Sequence, residues 1–237
     1  MSHNCEEEHH HGGHGGHGHG HDDHSHVAPI PTNESQSLRQ YIDTSKITGL
    51  NLSNPNNELH QVFKDQEQKY DVSKYIESDA DAQLILNIPF TGYVKIFSII
   101  LRTSGDSSNC PKQIKIFKNK DNLDFDNAND SKPTYKIEQP LIGHHDNDTN
   151  TSNNDEFIEH YLPRNSFQST TQLSLFIENN WDDDEDELTK VYYIEIRGQF
   201  TSPLSKDPII TLYESAANPA DHKNLLANEV GNHASFQ

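Results

Sequence analysis

Leu84-Ile85-Leu86-Asn87-Ile88-Pro89-Phe90 is followed by Thr91-Gly92 and then by Tyr93-Val94-Lys95-Ile96-Phe97-Ser98-Ile99-Ile100-Leu101. The dominant period is two, and β-branched residues are frequent, so the two runs read as core strands joined by a turn at Thr91-Gly92. The second run is too apolar to lie on an exposed sheet edge. Gly92 fits a turn that needs positive φ, and Ile88 and Phe90 fit the core. Outward from this stretch, Gln113-Ile114-Lys115-Ile116-Phe117-Lys118 alternates polar with apolar, as a half-buried strand does. Further strands are expected at residues 134–138, 157–162, 172–178, 191–197 and 209–213, each bounded by Gly, Pro, Asn or Asp. About eight short strands with almost no helix give an all-β fold, an antiparallel β-sandwich or jelly roll. No βαβ alternation and no internal repeat is visible. Residues 37–42 read as one or two helical turns. Residues 120–156, rich in Asn and Asp, and residues 181–187, a tryptophan followed by six acids, read as loops.

The chain has 237 residues, enough for one large core, and its apolar fraction of 31% is concentrated away from the first 33 positions. Met1 to His26 holds ten histidines among glycines and acids and no periodic apolar positions, so it is expected to be disordered. A Pro-containing linker, Ala28-Pro29-Ile30-Pro31, follows it. The expected organisation is a tail and linker over 1–33, a sandwich over 34–222 and a C-terminal tail over 223–237.

A net charge of -19 argues against nucleic acid, whose phosphates need clustered Lys and Arg, and against an anionic membrane surface. It favours basic surfaces on other proteins. Cys5 and Cys110 cannot build a disulfide framework, and no secretory signal or run of about 20 apolar residues is present. The expected location is the cytoplasm, with access to the nucleus left open.

Motifs for catalysis are missing: there is no Cys-x-x-Cys, P-loop, dinucleotide fingerprint, nucleophile elbow or His-Glu-x-x-His. Gly105-Asp106-Ser107 is similar to the turn around a hydrolase serine, but lacks the glycines of an oxyanion hole and reads as a polar loop. No catalytic residue and no required cofactor is expected. Glu77-Ser78-Asp79-Ala80-Asp81 offers oxygen ligands for calcium or, more economically, local backbone capping. Trp181, Asp182, Asp183 and Asp184 open a solvated loop or a docking patch for a basic partner. The tail histidines His3, His9, His10, His11, His14, His17, His19, His21, His24 and His26 suit loose, adventitious Zn, Ni or Cu binding.

Two stretches carry a specific resemblance. Tyr75-Ile76-Glu77-Ser78-Asp79-Ala80-Asp81, continued by Leu86-Asn87-Ile88-Pro89-Phe90-Thr91-Gly92 and Val94-Lys95, resembles the opening of the PITH domain. Thr189-Lys190-Val191-Tyr192-Tyr193-Ile194-Glu195-Ile196-Arg197-Gly198, then Tyr213-Glu214-Ser215-Ala216-Ala217-Asn218-Pro219-Ala220-Asp221-His222, resembles its close. The likeness runs over residues 37–222 and is weak at 119–156. It implies a jelly-roll sandwich similar to galactose-binding domains and an association with the 26S proteasome, from which the family takes its name. A thioredoxin domain precedes this module in a better-known relative; it is missing here, so its disulfide chemistry is not carried over. Within the motif, Asp79, Asp81, Asp221 and His222 have no evident packing purpose and join Trp181 and Asp182–Asp184 as partner-binding candidates, with local hydrogen bonding as the plainer alternative. The expected function is a non-catalytic interaction module. A small-ligand or carbohydrate-binding sandwich and a metal-handling protein acting through its tail stay open as alternatives.

Overall fold

In the computed structural model, alternating apolar residues form eight strands among the described residues, all paired antiparallel. The structure describes residues 30–147, 153–183 and 186–204; the strand expected at 209–213 lies outside them. The strands are β1 (Thr48–Leu50), β2 (Ile76–Glu77), β3 (Leu84–Thr103), β4 (Gln113–Lys118), β5 (Tyr135–Glu138), β6 (Ile158–Tyr161), β7 (Thr170–Ile177) and β8 (Lys190–Pro203). β3 organises the rest because each of its halves has its own pair of neighbours. Leu84–Pro89 runs between β1 and β7, whereas Ser98–Leu101 runs between β8 and β6. Two layers follow, β1-β3-β7-β4-β5 and β2-β8-β3-β6, sharing one strand that passes from the first to the second.

The expected turn at Thr91-Gly92 is therefore corrected: β3 continues through both residues, and its register against β7 shifts between Pro89 and Val94. Gly92 serves close approach, not a positive φ. A Cβ there would stand 2.6 Å from the Phe200 ring and closer still to the Ser202 carbonyl of β8. A second irregularity lies between Ile96 and Ser98 against β8. Before it, Leu84, Leu86, Ile88, Val94 and Ile96 face the main core; after it, Ile99 and Leu101 do. An extra residue in one strand reverses which side chains point inward, and that reversal keeps the apolar face continuous. Ile114, Ile116, Leu173, Leu175, Ile194 and Ile196 close the core from the other strands.

The Asn/Asp-rich residues 120–156 are more than a loop. Asp124 and Asn127 form a capping box that starts α1 (Phe125–Asp130), and β5 follows. Leu123 and Ala128 bury against Ile85, Phe117 and Phe176 on the outside of the first layer, with Phe125 packed alongside. This satellite core explains why helix forms in a segment of poor helical propensity: burial on the sheet outweighs about 0.5 kcal/mol per Asn or Asp. The turns expected at 37–42 are short 3₁₀ turns at Glu34–Gln36 and Arg39–Tyr41, flanking buried Leu38 and Ile42.

The outside of the second layer is polar and covered. Arg102 places Nε 2.7 Å from Glu156 Oε2, adds an Nη2 bond to the same oxygen, donates from Nη1 to the Tyr70 carbonyl and lies over the Phe157 ring. Glu195 accepts from Arg197, Gln66 and Tyr193. The Lys64 ammonium donates to the carbonyls of Asp71, Lys74 and Tyr192 and so fastens the connection between β1 and β2 to β8. Burial lowers its pKa to about 8. Thr32 donates to Glu159, tying the described start of the chain to β6.

Candidate interaction surface

One end of the sandwich gathers the connections β2–β3, β3–β4, β5–β6 and β7–β8, and hydrogen bonds bind them into one surface. The Ser78 N–H donates to the Thr189 carbonyl, and the Ser78 hydroxyl accepts from the Thr189 N–H. Thr189 Oγ1 donates to the Ala82 carbonyl, Gln83 Nε2 to Glu178 and Asn109 Nδ2 to Leu188. Gly105 N–H donates to the His144 carbonyl, and His144 N–H to that of Thr103. Loops cross-braced in this way present side chains in fixed positions.

The structure places the sequence candidates on this end in different roles. Asp81 Oδ1 accepts from Asn51 Nδ2 at 2.7 Å and from the Gln83 N–H at 2.9 Å, while Asn51, at φ 55°, caps Ala80. That is the local hydrogen-bonding role, an Asx-type turn that closes the loop before β3. Asp79 stands exposed beside it. Glu77 pairs with Lys190 at 3.4 Å, and among the described residues no three His, Cys, Asp or Glu side chains converge to hold a metal ion.

Trp181 is half-buried: its indole N–H donates to the Gln139 carbonyl at 3.0 Å, and Lys112 Nζ sits 5.2 Å from its ring centroid. Asp182 accepts from the Ser107 hydroxyl at 3.0 Å. Asp183, at φ 52°, accepts from Asn179 and from Lys112. The acidic loop is thus anchored at its first three residues. Asp184, Asp221, His222 and the tail histidines lie outside the described residues.

Further residues complete the surface, among them Leu141, Ile142 and His145, which the sequence did not single out. Leu141 and Ile142 are 43% and 44% exposed and belong to neither apolar cluster. His145 Nδ1 and Asp106 Oδ1 are 2.8 Å apart, both exposed. Asp106, Asp146, Asp182, Asp183, Asp186 and Glu187 are exposed here, and the nearby bases Lys112 and Lys190 are already engaged with Asp183 and with Glu77 and Asp146. The only signal in the sequence for Leu141-Ile142 is an apolar pair inside a polar insertion, which by itself marks nothing.

The arrangement suits binding more than bond-breaking chemistry. Asp106 pairs with His145, but the Ser107 hydroxyl donates to Asp182, so the hydrogen bonds do not join the three into a relay. Cys110 is buried beneath Thr103 and Pro140, and burial pushes its thiol up to about 11, far from the thiolate a nucleophile needs. His160, on β6 and hydrogen-bonded through Nε2 to Gln139 Oε1, has its pKa lowered to about 4 by burial and stays neutral.

Comparison with known proteins places these residues in context. The model of a family described as the PITH domain matches residues 28–217. A PITH domain-containing protein of Drosophila melanogaster is 36% identical over 195 residues, covering 82% of this chain and 84% of its own. One of Caenorhabditis elegans is 31% identical over 208 residues, covering 86% and 91%. PITH domain-containing protein 1 of Homo sapiens is 35% identical over 163 residues, covering 68% and 69%. Among solved structures, the family 32 carbohydrate-binding module of NanJ from C. perfringens in complex with galactose is similar with a TM-score of 0.42 at 5% identity, covering 68% of this chain and 97% of that one.

Proposed function

The chain belongs to the PITH domain family, and on that premise we propose that it is a non-catalytic interaction module that associates with the 26S proteasome regulatory particle through the loop-built end of its sandwich. The observation that carries this reading is the concentration of exposed carboxylates at that end, with its bases already paired. Such a surface attracts a basic protein face and repels nucleic acid and anionic lipid, which agrees with the charge of -19 for the whole chain.

The test is co-sedimentation of the full chain with purified 26S proteasomes at low and moderate salt. A chain lacking residues 1–26 and an Asp106→Asn/Asp182→Asn variant are compared with it. Tail removal should leave association unchanged, and the neutralised variant should bind more weakly with a shallower salt dependence. Failure of the full chain to co-sediment at low salt would refute the proteasome assignment.

A further inference from the structure

We propose that Leu141 and Ile142 form the apolar centre of this surface and that it takes a basic segment of a partner protein, one in which apolar side chains alternate with Lys or Arg. The proposal rests on the reading of this end as an interaction surface, and it adds the chemistry of what binds there.

Three observations point to it. First, two consecutive aliphatic side chains stand more than two-fifths exposed, outside both apolar clusters of the fold, so burial among the described residues does not account for them. Second, the backbone presents them rigidly. Ile142 N–H donates to the Pro140 carbonyl, and the Ile142 carbonyl accepts from Thr103 Oγ1. Gly143 lies so close to β3 that a Cβ would stand 2.6 Å from the Ser104 carbonyl oxygen and nearer to that of Thr103. A rigid knob loses little entropy on docking. Third, the surroundings select the charge of the occupant. Gln139, two residues before Leu141, accepts from the Trp181 indole; Trp181 leads into Asp182 and Asp183; Asp146 follows Ile142 in the same connection, to which Asp106 of the β3–β4 connection is joined through His145. An acidic segment would be repelled by these exposed carboxylates and a neutral one would gain nothing from them, whereas a basic one is attracted to them at the rim while its apolar side chains cover Leu141 and Ile142.

The test uses a short fluorescein-labelled peptide of alternating Lys and Leu, its Glu/Leu counterpart, and the full-length protein. Fluorescence anisotropy over a salt series should show binding of the Lys/Leu peptide alone. Leu141→Ser/Ile142→Ser should weaken it by about tenfold or more with an unchanged salt slope, because only apolar contact is lost. Asp182→Asn/Asp183→Asn should instead flatten the slope; asparagine tolerates the positive φ of Asp183, so the loop keeps its shape. If the double serine variant melts early, Leu141→Ser alone gives the same reading. Equal binding by the serine variants, or equal binding of the Glu/Leu peptide, overturns the proposal. Peptide binding that depends on Leu141 and Ile142 while proteasomes fail to co-sediment would leave this surface standing and remove the proteasome as its partner.

Discussion

Replacing Arg102 by methionine should cost the fold about 3–5 kcal/mol, the usual penalty for breaking a buried ion pair from one side. The Arg102 side chain is 0% and the Glu156 side chain 4% exposed. Two guanidinium bonds reach the same carboxylate oxygen, a third reaches the Tyr70 carbonyl, and the Phe157 ring covers one face. Removing the cation strands a carboxylate that is almost fully buried. His144 Nδ1, 3.9 Å from that carboxylate and without a hydrogen-bond partner, offers poor compensation. Removing the carboxylate by Glu156→Leu strands the guanidinium, with a cost of the same order. Removing both leaves no buried charge without its partner, so the double variant should be less destabilised than the sum of the singles by about 2–3 kcal/mol. Urea unfolding of the wild type, both single variants and the double variant measures this coupling directly. For a domain of this size the Arg102 variant alone should melt roughly 10 °C lower. Single losses below about 1 kcal/mol, or costs that simply add, would show that the pair is solvated and that the outer face of the second layer is open.

His160 has its pKa lowered to about 4 from 6.5 by burial, so the unfolded chain takes up a proton that the folded chain refuses between those values. Stability should therefore fall by about 2–3 kcal/mol as pH drops through that window, and His160→Gln, which keeps a donor for Gln139, should remove that share of the slope in urea melts at stepped pH. Gly92→Ala puts a methyl group into the Phe200 ring and the Ser202 carbonyl and should cost about 1–3 kcal/mol by the same assay; a neutral result would mean β3 and β8 separate freely there. Cys110, buried and raised to about 11, should resist iodoacetamide at pH 8 in the folded protein and react after unfolding, as read by peptide mapping; rapid labelling under native conditions would refute its burial.

The strand pattern was legible because burial on one face writes period two into a sequence, and that is why β4, β5, β6, β7 and the core runs of β3 and β8 fall where alternation puts them. β1 and β2, of three and two residues, are too short to display a period, and tertiary pairing alone makes them strands. Asp81 and Trp181 were legible as unusual residues, but whether each served a partner or the loop depended on Asn51 and Gln139, 30 and 42 residues away in the chain. The family and the antiparallel sandwich were determined by the sequence itself, through motifs and alternation that are local. Only the tertiary structure decided that Gly92 sits inside one continuous strand, that α1 covers the first layer, and that Leu141 and Ile142 stand exposed among carboxylates. Close approach, burial and exposure arise between segments far apart in the chain, and no local pattern of residues encodes them.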